Sequence, residues 1–141
     1  MFFQESISFN SEGISFELDQ PELTHKWISE TILNEGKVVG EISYVFCSDE
    51  YLHKINLEHL GHDTYTDIIT FNYCEDNVVS TDIFISIDRV KENAKIFGVS
   101  FQKELNRVII HGILHLLGYD DKTDEDKVLM RSKEDFYLTL C

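Results

Sequence analysis

Residues 100–121 read SFQKELNRVIIHGILHLLGYDD. Ser100 is a residue of the N-cap type, and Leu105, Val108, Ile109, Leu114, Leu116 and Leu117 recur behind it at helical spacing. Gly118 stands where a helix commonly ends in a left-handed residue. The stretch predicts one long helix with an apolar face turned inward. Histidines at i and i+4 share a helix face, so the imidazoles of His111 and His115 can reach one metal ion. The chain then leaves the helix at Gly118, and Asp121, three residues on, can swing back as a third ligand. This is the spacing of the elongated zinc motif H-x-x-x-H-x-x-G-x-x-(H or D). Two histidines and a carboxylate leave a fourth zinc position open for water, as in catalytic rather than structural sites. Within the motif Asp120 is the alternative third ligand; its other role is a hydrogen bond to nearby backbone or to a ligating histidine. Two histidines on an apolar helix can also be ordinary core residues, and it is the glycine and aspartate at the right offsets that favour a metal. The general-base glutamate of the H-E-x-x-H peptidases is replaced by Gly112, which disfavours peptide hydrolysis.

Outward from this helix the pattern is mixed. Ile7 and Phe9, then Ile14, Phe16 and Leu18, alternate around Asn10-Ser11-Glu12-Gly13 and predict a hairpin. Pro21 opens a helix carrying Leu23, Trp27, Ile28 and Leu33, which Gly36 ends. Residues 38–47 read as a strand, and Ser48 caps a short helix with Tyr51, Leu52 and Ile55 on one face. A polar loop over about 59–66 leads to strands at 67–73 and 82–87. Helices follow at about 89–97 and 124–138, the last carrying Leu129, Met130, Phe136 and Leu138. Strands early and helices late predict an α+β fold. The expectation is a small mixed sheet of four to five strands, helices mainly on one face and the metal site at the end of a central helix.

The chain has 141 residues, which suits a single domain over 1–141. It carries 12 basic and 26 acidic residues, a net charge of −14. Such a surface excludes a protein that coats nucleic acid by charge alone, though not an enzyme with a local basic strip. Cys47, Cys74 and Cys141 are odd in number and form no C-x-x-C pair, so a thiolate zinc site or disulfide framework is not expected and a reducing compartment is. Met1-Phe2-Phe3-Gln4-Glu5 has no basic region and opens no long apolar run, and no stretch is long enough to span a membrane. These features point to a soluble, cytoplasmic protein.

The motif resembles that of the YbeY family of single-strand-specific metallo-endoribonucleases. The likeness extends from about residue 50 to 135: Asn56 in INLEHLGHDTYTDIITF, the Thr66-Asp67 entry to a strand ending at Phe71, DIFIS at 82–86, Glu104, HGILHLLGYDD, and Met130 with Glu134. It implies one Zn2+ per chain, held by His111, His115 and Asp121. It also implies cleavage of RNA phosphodiester bonds, 3′-end maturation of small-subunit (16S) ribosomal RNA and ribosome quality control. The implied partners are single-stranded or ribosomal RNA and the ribosome or its small-subunit proteins, with neither DNA nor membrane. Three positions depart from the family pattern. Asp121 stands where histidine is usual, Leu60 where an arginine is usual, and Thr81 where a glycine is usual. With that arginine gone, Arg107, four residues before His111, is the candidate RNA contact, within a segment carrying Arg89, Lys91, Lys95 and Lys103 against Glu92 and Glu104. Its other reading is a solvated charge or a partner for Glu104. His59 and His62 are further candidates for that role, and otherwise surface polar residues. Asp67 either orients a ligating histidine or caps a turn. Lys127, Arg131 and Lys133 read as solvated helix charges. A metal-dependent peptidase and a non-enzymatic ribosome-assembly factor with a structural metal are the alternatives, the second supported by Leu60.

Overall fold

The computed structural model describes residues 6–62 and 64–141. The amino-terminal residues read above for a leader lie outside these. The described elements are β1 (Ser6–Glu12), α1 (Pro21–Asn34), β2 (Val38–Cys47), α2 (Asp49–Leu60), β3 (Ile68–Asn72), β4 (Val78–Ser86), α3 (Ile87–Phe97), α4 (Phe101–Leu116) and α5 (Asp124–Leu138). The fold is α+β, on a four-stranded mixed sheet of order β1-β2-β4-β3. β1 and β4 run parallel to β2, whereas β3 pairs antiparallel with β4, Ile68 opposite Ile85 and Asn72 opposite Thr81.

The expected amino-terminal hairpin is not formed. β1 pairs in parallel with β2, Ser6 against Glu41 through Glu12 against Cys47, so its partner comes after α1. Gly13, at φ +73°, turns the chain out of the strand. Ile14, Phe16 and Leu18 then pack against the core without ladder bonds. Three other elements are longer than their sequence pattern suggests: α2 runs on to Leu60, β4 begins at Val78, and α3 starts at Ile87 behind the Ser86 cap.

Alternation along the strands supplies two apolar faces. Ile42, Tyr44 and Phe46 of β2 with Val79, Ile83 and Ile85 of β4 join residues of α1, α3, α4 and α5 in the main core. On the other face Cys47, Ile69, Phe71 and Phe84 meet Tyr51, Leu52 and Ile55 of α2. Helix α4 lies in the main core with Leu105, Val108, Ile109, Ile110, Ile113 and Leu114 buried. Ser100 caps it by accepting from the Lys103 amide at 3.1 Å, and the Tyr44 hydroxyl donates to the Ile109 carbonyl at 3.0 Å from the sheet side. The last helix buries Met130, Glu134 and Tyr137, while its Leu129 and Phe136 are half exposed.

Candidate active site

Gly112 brings α4 down onto the sheet. A Cβ there would stand 3.0 Å from Ile68 Cδ1 and 3.3 Å from both Ile83 Cδ1 and Thr70 Cγ2. The close approach sets the two histidines of α4 against β3. Together they open on a cavity of about 270 Å³ lined by Thr66, Asp67, Ile68, Thr70, His111, Gly112, His115 and Asp121. All three ligands expected from the spacing are therefore on one cavity. Asp120 does not line it and is exposed.

Asp121 reaches the cavity because the chain turns at Gly118, where φ is +108°, a conformation that L side chains rarely adopt. The Tyr119 amide closes the turn by donating to the Leu114 carbonyl at 3.1 Å. The Tyr119 hydroxyl donates to Glu35 at 2.6 Å, and Tyr137 and Lys133 also donate to Glu35. These bonds fasten the turn to the end of α1 and to α5. Outside the cavity, buried Asn56 donates from Nδ2 to the Thr64 carbonyl at 2.9 Å, holding the loop that enters β3.

His111 is the best-anchored group of the site. Its Nδ1 lies 2.7 Å from Glu134 Oε2, and its Nε2 lies 3.6 Å from Asp121 Oδ2. Glu134 also accepts from Arg107 at 2.8 Å, and Arg107 donates to Asp135 at 2.7 Å. Arg107 thus lies beside the site as expected, but its guanidinium is engaged by two carboxylates. Helix α5 supplies both partners, Glu134 and Asp135. Burial would lower the His111 pKa; the hydrogen bond and charge of Glu134, with Asp121 and Asp67, raise it above the ordinary imidazole value. Burial would raise Glu134, but its bonds to His111 and Arg107 hold it below the ordinary range. Burial pushes Asp67 up against the pull of His111, and burial followed by the charge of Asp67 does the same to Glu104.

The donor set suits a divalent cation. With Nδ1 held by Glu134, the Nε2 lone pair of neutral His111 is left to face Asp121, and a carboxylate on the other ring nitrogen is what orients a metal-ligating histidine. Two donors at 2.0–2.1 Å from a tetrahedral ion stand roughly 3.4 Å apart, near the 3.6 Å seen here. Among the described residues no three His, Cys, Asp or Glu side chains are grouped closely enough to hold an ion as they are placed. His115 shares the cavity but is not closed round one point with the other two.

A second cavity, of about 290 Å³, adjoins the first and shares Asp67, Ile68, His111 and Asp121 with it. Neither is lined by His59, Leu60 or His62. His59 instead sits edge-on to Phe71. Thr81, in place of the family glycine, is buried and donates to the Phe71 carbonyl at 2.7 Å. The cysteines are free, and burial, with Asp88 and Asp49 nearby, pushes the Cys47 thiol up to about 12. Among the described residues no helix is long and apolar enough to cross a membrane.

Glu134 stands in the sequence only as part of the family's order, with no role attached. The available signal was its place four after Met130 and three before Tyr137, which makes it a carboxylate on a buried helix face.

A family profile described as endoribonuclease YbeY matches residues 6–141. A Flavobacterium johnsoniae protein named endoribonuclease YbeY is 57% identical over 129 residues, covering 92% of each chain. A Porphyromonas gingivalis protein of the same name is 48% identical over 134 residues, 95% of this chain and 89% of that one. The solution structure of a Thermotoga maritima protein superposes with a TM-score of 0.66 at 31% identity, covering 94% of this chain and 86% of that one. With a profile that spans nearly the whole sequence, and relatives this similar over nearly their full length, the chain belongs to the endoribonuclease YbeY family.

Proposed function

We propose that the protein is a zinc-dependent, single-strand-specific endoribonuclease that matures the 3′ end of 16S ribosomal RNA and serves ribosome quality control in the cytoplasm. The observation that carries this reading is His111, fixed through Nδ1 by Glu134 and turned through Nε2 toward Asp121 in a cavity shared with His115. His111, His115 and Asp121 would hold the ion, and a divalent cation there supplies Lewis acidity toward a phosphate and lowers the pKa of water. Glu134 keeps His111 in the tautomer that offers Nε2, and Arg107 keeps Glu134 ionised. Asp67 lines the same cavity, where in the metal-free chain burial raises its carboxyl against the pull of His111. The place of the peptidase glutamate is closed by Ile68, Ile83 and Thr70 around Gly112, which argues against peptide hydrolysis.

The test is metal analysis of protein prepared without chelators, beside cleavage of single-stranded RNA and of a peptide panel. About one zinc per chain and RNA cleavage that chelation abolishes are expected. Asp121→Asn should lose most of the metal and Asp120→Asn should keep it. Peptide cleavage without RNA cleavage, or equal metal loss from both variants, would overturn the reading. Cells depleted of the protein should accumulate 16S precursors extended at the 3′ end.

A further inference from the structure

The two cavities differ in what surrounds them. The second runs from the His111 and Asp121 edge of the site toward the end of α3 and the outer face of α5. Its lining includes Phe97 and Arg131. Phe97 is the last residue of α3 and is 60% exposed. Arg131 is also exposed. Of the two arginines on this cavity, Arg107 is held by Glu134 and Asp135, whereas Arg131 makes no ion pair among the described residues and acts on Glu104 only at longer range. The cavity therefore offers one uncommitted guanidinium and one open aromatic face, in a space that shares His111 and Asp121 with the first cavity. Of its acids, Glu134 is already paired with His111 and Arg107.

We propose that Phe97 and Arg131 form a nucleotide subsite beside the His111–Asp121 centre, with Phe97 stacking a base and Arg131 taking the adjoining phosphate of a single-stranded RNA. The proposal rests on the RNA-cleaving reading above. Every base has a π-face, so stacking on an aromatic ring is the sequence-tolerant way to hold an unpaired strand. A guanidinium takes a phosphate bidentately. The pair grips the strand a nucleotide away from the bond to be cut. It also supplies, from α5, a guanidinium that is not already held by carboxylates as Arg107 is. An exposed phenylalanine at this place has no role in the core clusters of the fold.

The experiment measures binding of a fluorescein-labelled single-stranded oligoribonucleotide to the chelator-treated chain by anisotropy, with cleavage by the zinc-loaded chain alongside. The variants are Phe97→Ala, Phe97→Tyr, Arg131→Gln and, as a control of equal charge change, Lys26→Gln on α1, which lines neither cavity. Phe97→Ala is expected to weaken binding at least about fivefold, the size of a lost base stack, and Phe97→Tyr to restore it. Arg131→Gln should weaken binding by a similar factor and flatten the salt dependence by about 0.7 in log–log slope, one phosphate contact on a single strand. Lys26→Gln should change neither, and thermal unfolding should be the same for all four. If the parent binds and cuts RNA while Phe97→Ala and Arg131→Gln stay within twofold of it, the subsite is wrong and the RNA reading stands. A parent that neither binds nor cuts single-stranded RNA overturns both.

Discussion

At the scale of the residue, the site is organised by a chain of three charges on two helices: Arg107, Glu134 and His111. Glu134 is 7% exposed and Arg107 14%, so neither can exchange its partner for water without a desolvation penalty. The pair of His111 and Glu134 gives a pH signature in the metal-free protein. The raised His111 stabilises the fold fully below its ordinary value of 6.5, and that contribution is lost as pH rises through its folded value. The lowered Glu134 stabilises it above 4.5, and that contribution is lost as pH falls through its folded value. Stabilisation by the pair is therefore greatest between about 4.5 and 6.5. Glu134→Gln should be less stable than the parent by about 2 kcal/mol in that window, the worth of a charged hydrogen bond. The gap should narrow above it as His111 loses its proton. Denaturant unfolding in chelator at several pH values measures this, and a gap that does not vary with pH would show that the pair is not ionised in the fold. That His111 and His115 share one face was legible in the sequence because helical periodicity places them together without any tertiary knowledge. Glu134 was not, because its partner lies on another helix and local pattern carries no record of which faces meet. The same holds for Arg107, which reads as a free charge until α5 is docked against it.

At the scale of the element, Gly112 decides how α4 meets the sheet. Its place in the motif signalled only that the peptidase base is missing. The structure adds the steric reason, since Ile68, Thr70 and Ile83 occupy the space a side chain would need. Gly112→Glu is expected to destabilise the fold by about 3 kcal/mol or more, through overpacking and burial of a carboxylate without a partner. Gly112→Ala should stay within about 1 kcal/mol of the parent, because the better helix propensity of alanine offsets the crowding of flexible Ile68 and Ile83 side-chain ends. Chemical denaturation of both variants checks this. A fully stable Gly112→Glu chain would mean that α4 can lift from the sheet. Helices were legible from their caps and glycines: Pro21, Ser48, Ser100 and Gly118 each mark a boundary that the structure keeps. The failed hairpin has the opposite cause. Alternation in Ile7 and Phe9 shows a strand with one buried face but does not name its partner, and the partner is β2, beyond an entire helix. The turn at Gly13 looks local, while the pairing energy is not.

At the scale of the whole molecule, the difficulty is charge, because a chain of net charge −14 must receive a polyanion. Of its 12 cations, Lys26, Lys54, Arg89, Arg107 and Lys133 are in ion pairs with carboxylates. Asp67, Glu104, Asp121 and Glu134 gather on the cavities where RNA would enter. Binding is therefore expected to come from a few local contacts rather than a broad basic face, and on the proposed reading the two positive charges of a divalent ion would offset the acids at the centre. Counterion release then gives a quantitative expectation. Each phosphate contact on a single strand contributes about −0.7 to the slope of log affinity against log salt. Two or three contacts predict a slope between about −1.4 and −2.1. A protein that coats RNA with six to ten contacts would show about −4 to −7. Anisotropy titrations with single-stranded RNA from about 50 to 200 mM salt distinguish these cases. Chelation should weaken binding at every salt concentration, since it leaves the cavity acids facing the phosphates uncompensated. A steep slope that chelation leaves unchanged would place RNA on a surface remote from the His111 cavity, and cleavage there would then need a different centre.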